Sequence, residues 1–339
     1  MGPRLIGKLT IACLIASALA TSACDRTTPS APDETKQSAV AAWEIGGAPA
    51  LDVGSSQAPP LMLTEGGDVC IPVTAVTIIL VKNTRLTCDT RCETTTTPCF
   101  QFAAPGIKLD LNGRKVSGPA EPPVNCETTV TFAPGDGIAS FGQNDIVIHG
   151  PGLVEKFRRH GIALTGLMKG EVKKVTSHQN CFSGVWLAAN VTETLVEEVV
   201  SVRNASASAA FPCGGLCITN SHNNRIRRSE FAGNGSLLSG ANDFGVGLVG
   251  NSSGNIIEEN GIGGNVNGIQ LVGTVSGNLI RKNVIVGNPP IQVGSPPAGF
   301  DIRNLSSGVN RFEENLCITS TGNPPCPNLP QFAGHQNNG

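Results

Sequence analysis

Along most of the chain, apolar and polar residues alternate in short runs, each cut off by Asn or Gly. Six runs open on a glycine and superimpose: Gly161-Ile162-Ala163-Leu164, Gly184-Val185-Trp186-Leu187, Gly215-Leu216-Cys217-Ile218, Gly245-Val246-Gly247-Leu248, Gly268-Ile269-Gln270-Leu271 and Gly299-Phe300-Asp301-Ile302, with a looser start at Gly137-Ile138. Period two over so few residues specifies strands, not helices. The starts recur at about 23 residues, or about 30 where an insertion intervenes, which leaves room for three short strands and three turns per unit. Repetition of such a unit predicts a coil of parallel strands stacked about 4.8 Å apart.

The repeat resembles that of the right-handed parallel β-helix family, the pectin-lyase-like architecture. The run Gly106-Ile107-Lys108-Leu109-Asp110-Leu111-Asn112-Gly113 is similar to the first turns of its bacterial members. The resemblance implies an all-β solenoid of about seven to nine rungs, placed at residues 106–330. A disulfide-rich cap over residues 61–105 is expected to cover its open end, where strand edges would otherwise stand unpaired.

Alignment of the units exposes columns with distinct physical roles. Asn224, Asn255, Asn278 and Asn310 share one turn, Asn260, Asn283 and Asn315 a second, and Asn180, Asn204, Asn234, Asn265 and Asn288 a third. These are expected Asn ladders, in which each amide bonds the next and the residue tolerates the left-handed backbone of a tight corner. A second set alternates in sign at every step: Lys173-Lys174, Glu197-Glu198, Arg227-Arg228, Glu258-Glu259, Arg281-Lys282, Glu313-Glu314. Stacked, it sets plus against minus, so a slipped rung would oppose like charges; register selection is its expected role.

At the amino terminus Arg4 and Lys8 precede an apolar run from Leu9 to Ala20, which reads as an export signal over residues 1–23 and is too short to span a bilayer. Cys24 resembles the lipid-acceptor cysteine of a lipoprotein cleavage site, with ordinary cleavage after Ala20 as the alternative. Residues 24–60 are expected to form a flexible tether and residues 331–339 a disordered tail. Leaving out Cys13 and Cys24, ten cysteines remain, an even number suited to disulfides in an oxidising compartment. Cys181 and Cys213 precede successive rung starts and are expected to bridge neighbouring rungs, while Cys317 and Cys326 would close the carboxy-terminal turn. Cys70, Cys88, Cys92, Cys99 and Cys126 crowd the expected cap. The five histidines are scattered, and no resident metal is expected.

A net charge of −2 offers no basic field for nucleic acid, and 40% hydrophobic content excludes general disorder. Enzymes of the resembled architecture work on the outward face of the first strand. Here that floor carries Ala163, Trp186, Cys217, Gly247, Gln270 and Asp301, then Thr165, Ala188, Thr219, Val249, Val272 and Arg303. Asp301 and Arg303 are its only charges; they and the loop carboxylate Asp243 are the weak catalytic candidates. Lyases need a cation or Arg beside a proton-abstracting base, and calcium enters only under that reading. Inverting hydrolases need carboxylates facing each other at about 6.5–9.5 Å.

A binding reading uses Trp186 as a sugar-stacking platform, Gln270 as a polar contact, and the basic run Lys156, Arg158, Arg159 and His160 as an attractor for acidic glycans. Insertions at 205–214, 235–244 and 289–298 each precede a first strand and would wall its groove. The sequence therefore predicts an exported cell-envelope protein that binds carbohydrate or another extracellular polymer. A polysaccharide lyase or glycoside hydrolase is the alternative, and a structural assembly protein, with Val249 and Val272 covered by a partner, a second.

Overall fold

The computed structural model describes residues 59–122, 126, 135–205, 214–235, 243–288, 299–322 and 326. The expected signal and tail and all but the last two residues of the expected tether, together with Cys24 and Cys213, lie outside them, as do most of the three insertions. The described chain winds as a right-handed parallel β-helix with three faces. The first face is an eleven-stranded sheet whose strands follow chain order from Leu61–Leu63 to Ser320–Thr321. The second runs from Gly67–Val69 to Arg311–Glu313, and the third from Val73–Thr74 to Leu316–Cys317. Val147–Glu155 and Glu171–His178 continue around the corner and serve both of these faces.

The inward residues of all three faces form one core, in which Ile162, Val185, Leu216, Val246 and Ile269 stack along the first face. The rung starts pair as the alignment predicts up to Gly268. The last rung differs: Ile269 pairs with Ile302 and Gln270 with Arg303, a shift of two residues from the expected register. Because the shift is even, the inward and outward sets keep their faces. Residues 61–102, expected as a cap, are wound as the first turns of the same coil and carry the disulfides Cys70–Cys88 and Cys92–Cys99. These turns raise the rung number above that read from the Gly-led repeat, because their strands lack the glycine start.

The three Asn ladders form. In the longest, Asn180 bonds Asn204, Asn204 bonds Asn234, Asn234 bonds Asn265 and Asn265 bonds Asn288, each through a backbone N–H and a side-chain amide donating to the next Oδ1. The ladder asparagines are not themselves the left-handed residues. The residue before each one, Asn310 excepted, is, as with Arg203 (φ 56°) before Asn204, Gly233 (φ 62°) before Asn234, Glu259 (φ 57°) before Asn260, and Gly254 (φ 66°) before Asn255. The left-handed residue turns the chain, and the Asn that follows bonds the backbone groups the turn would orphan.

The charged column stacks in the expected alternation, with Lys173, Glu197, Arg227, Glu258, Arg281 and Glu313 in register. Glu197 is buried and receives Lys173 at 2.7 Å, Arg227 at 2.6 Å, and Arg228. Glu258 is buried between Arg225 and Arg281, the latter at 2.7 Å. The second members of the charged pairs, including Lys174, Glu198, Arg228 and Lys282, occupy the left-handed corner itself, with φ of 50–57°.

Candidate functional site

The outward side of the first sheet is not the bare floor that the alignment suggests. Trp186 lies in register between Ala163 and Cys217, and its ring stacks on His160 with centroids 4.6 Å apart and planes inclined by 15°. Its Nε1 donates to Thr219 Oγ1 at 3.3 Å. Phe182 meets His160 edge-on at 5.6 Å. Ala120, Cys126, Cys181, Phe182, Cys217 and Phe244 form a hydrophobic cluster on this outer side, distinct from the coil core, with Trp186 and Val249 packed at its margin. A Cβ on Gly247 would stand 2.2 Å from the Phe244 ring, so only glycine lets that ring lie over the sheet.

Cys126 and Cys181 close this cluster with a disulfide, which corrects the expected pairing of Cys181 with Cys213. The physical reason is that Cys181 points out of the coil toward the segment carrying Cys126, instead of along the axis toward the next rung. Cys317 and Cys326 are bonded, with Cα atoms 5.2 Å apart.

His160 is buried. Its Nδ1 accepts from the Ser183 N–H at 3.1 Å, and its own backbone N–H donates to Asp136 Oδ1 at 3.1 Å. Burial first, and the neighbouring Arg159 second, hold its pKa well below the usual imidazole range, so the ring is neutral with its proton on Nε2. Burial raises the pKa of Asp136, an effect that Arg159 partly offsets. The run 156–160 is thus not a basic patch. Arg159 and His160 are buried, Arg158 Nη1 reaches the Thr95 carbonyl at 3.3 Å, and Lys156 is half-buried at a left-handed corner (φ 60°). The run turns the chain onto the first face.

At the carboxy-terminal end, Gln270, Asp301 and Arg303 are buried, so the outward side of the sheet is covered there and does not present them to solvent. Asp301 terminates the longest Asn ladder: Oδ1 accepts from Asn288 Nδ2 at 3.0 Å, and Oδ2 accepts from the N–H groups of Ile318 at 2.8 Å and Thr319 at 3.1 Å. A carboxylate suits this place because the last Asn needs an acceptor and the returning chain offers two donors. Arg303 Nη1 donates to Gln270 Oε1 at 3.2 Å, and Asn267 Nδ2 donates to the same oxygen at 3.2 Å and to the Asp243 carbonyl at 3.0 Å. Burial pulls the Arg303 pKa below the usual guanidinium value. Asp243 is likewise buried. Asp136, Asp243 and Asp301 are thus all buried, Asp136 and Asp301 with backbone N–H groups donating to their carboxylates.

A family profile described as periplasmic copper-binding protein (NosD) matches residues 113–315, more than half of the chain. The chain belongs to the NosD family. Membership in a periplasmic family supports export, as the amino-terminal pattern does. No curated protein matches the NosD-family chain. Among solved structures, the Dettilon tailspike protein is similar at 15% identity over 76% of this chain and 54% of its own, with a TM-score of 0.51. A double mutant of the periplasmic alginate epimerase AlgG is similar at 15% identity over 72% of this chain and 62% of its own, with a TM-score of 0.50. The chain spans about half the tailspike's length, and at such identity these likenesses establish the pectin-lyase-like fold alone.

Of the residues singled out by sequence, the structure brings together Trp186 and His160, and separately Gln270 and Arg303. Arg303 and Asp243 meet the same buried Gln270–Asn267 pair, Asp243 through its backbone carbonyl, while Asp301 lies at the end of the Asn ladder. Sequence reasoning missed Asp136, Phe182 and Phe244. A usable signal existed for the two phenylalanines, since each stands within two residues of a Gly-led start, at Gly184 and Gly245.

Proposed function

We propose that this exported β-helix binds an extracellular polymer, carbohydrate in the first instance, on the outward side of its first face. One observation carries the reading: Trp186 is a half-buried indole immobilised by its stack on His160 and by its bond to Thr219, so a sugar ring meeting its free surface would cost it no side-chain entropy. Two proteins of similar fold, a tailspike and an alginate epimerase, are in keeping with a polymer-directed role here. Attachment to the membrane through an acylated Cys24 is part of the same reading, tested by lipid labelling of the chain and of Cys24→Ser.

The test is a titration of the exported chain with acidic and neutral glycans, following tryptophan fluorescence in the native protein and in Trp186→Phe, which leaves Trp43 as the only indole. Saturable quenching that is lost in Trp186→Phe is the expected result. No binding to any member of the panel would sink the proposal. Assaying unsaturated products and reducing ends in the same samples, with and without calcium, covers the lyase or hydrolase alternative.

A further inference from the structure

The family's description names copper, and copper is held by several nitrogen or sulfur donors converging on one point. The described histidines do not converge, because the coil distributes them over different faces and corners. His149 stands on the second face, opposite Asp110 and Lys173 in register. His178 stands on the third face, where Nδ1 lies 3.4 Å from Glu155 Oε2. His222 sits at the turn between the first and second faces, with Nδ1 2.8 Å from Ser253 Oγ. His160 lies at the entry to the first face, its Nδ1 already accepting from Ser183. Eight of the described cysteines are in disulfides. Cys217 is buried in the outer cluster beside Thr219. Each described histidine thus has at most one carboxylate beside it, and among the described residues no group of three or more His, Cys, Asp or Glu is placed to hold a metal ion.

We infer that the described coil of this NosD-family chain carries no copper site, and that its described histidines serve the solenoid itself. His160 supports Trp186 and accepts the Ser183 amide. His178 and His222 are rungs in side-chain stacks, against Glu155 and Ser253. The inference departs from what the family's description suggests, and it does not depend on the polymer-binding proposal.

The experiment measures copper binding by the whole exported chain in two ways: competition for Cu(I) with a chromophoric chelator and for Cu(II) with a weak chelating buffer, and thermal unfolding with and without one equivalent of copper. A ligand that binds only the folded state at about 100 times its Kd stabilises by about 2.7 kcal/mol, so a resident ion cannot pass unnoticed in the melting curve. The expected result is no stoichiometric binding and no rise in Tm. The same titrations are run on His149→Gln, His178→Gln, His222→Gln, Cys217→Ser and His160→Asn, the last chosen because an amide retains an acceptor near the position of Nδ1. Saturable one-to-one binding that raises Tm and falls at least tenfold in any of these variants would overturn the inference. Binding that persists in all five and is lost in His335→Gln or Cys213→Ser would place the ion outside the described coil and uphold it.

Discussion

The two ends of this solenoid hold their register by different means. From about residue 180 onward, each rung is tied to the next by Asn ladders and by the alternating charged column. The turns over residues 61–117 have no such ladders. They are tied from rung to rung by Cys70–Cys88 and by single bonds such as Lys108 N–H to Asn83 Oδ1 at 2.8 Å and Lys115 N–H to Asp89 Oδ1 at 3.0 Å, while Cys92–Cys99 closes one corner loop. The difference shows two answers to one problem. A ladder spreads the specification over every rung and requires a regular repeat. A disulfide specifies one pair of positions and tolerates irregular turns, which suits the end where the coil begins.

This contrast breaks first at the middle of a ladder. Asn234 accepts from Asn204 and donates to Ser201 and Asn265, all in the buried interior. Asn234→Ala should therefore destabilise by about 3 kcal/mol, because several buried partners lose their bonds at once. Urea unfolding would give the magnitude. Hydrogen exchange should show lost protection around residues 204–265 with the amino-terminal turns unaffected; a uniform loss along the coil would contradict the nearest-neighbour picture.

The complementary change is Cys70→Ser with Cys88→Ser. Releasing a link across 18 residues should cost about 3 kcal/mol by loop-closure entropy. Its exchange signature should be confined to the first turns. Equal opening of residues 224–315 would mean that the two ends are not independently specified.

The charged column comes next in size. Glu197→Gln leaves Lys173, Arg227 and Arg228 facing one another and should cost about 2 kcal/mol, less than a fully buried pair because the cations are partly solvated. Lys282→Ala, which removes a partner of the exposed Glu314 at 3.9 Å, should change stability by no more than about 0.5 kcal/mol.

Acid titration sharpens the same comparison. The hydrogen bond from Lys173, ahead of burial, which opposes it, and of Arg227 and Arg228, holds the Glu197 pKa below the usual carboxylate range. For Glu258, burial alone would raise the pKa, but bonds from Arg281 and Arg225 outweigh it and the net shift is downward. Groups with depressed folded-state pKa values stabilise the fold above their unfolded values, and that contribution is lost as pH falls through the folded ones. His160, depressed mainly by burial, follows the same sign and begins to cost stability below about pH 6.5, the carboxylates below about pH 4.3. Stability measured from pH 7 downward should thus fall in two stages. His160→Asn should remove the first and Glu197→Gln should flatten the second; unchanged profiles in these variants would refute the assignments.

Much of this fold was legible before any coordinates, because each rung repeats one solution to one packing problem and the repeats can be aligned. Asn204, Asn234 and Asn265 announce a ladder by spacing alone, and Lys173 through Glu313 announce a stacked column by sign alone. The amino-terminal turns were less legible because covalent links, which need no periodicity, replace the repeated residues there. The left-handed corners were assigned one residue late, to the ladder Asn and not to Arg203, Glu259 or Gly233 before it, since both neighbours can adopt that backbone or favour that turn.

The outer face of the first sheet was the least legible region. Alternation says that Trp186, Gln270 and Arg303 leave the core, but it says nothing about what meets them outside. By itself, the sequence determined the coil, its three faces, the ladders and the charge register, because these depend on contacts between residues at constant separation. Only the tertiary structure decided that His160 stacks on Trp186, that Cys181 bonds Cys126 and not Cys213, and that Asp301 ends a ladder instead of facing solvent. Those outcomes depend on how non-repeating segments fold back over the coil and on where the repeat stops, and neither leaves a period to be read.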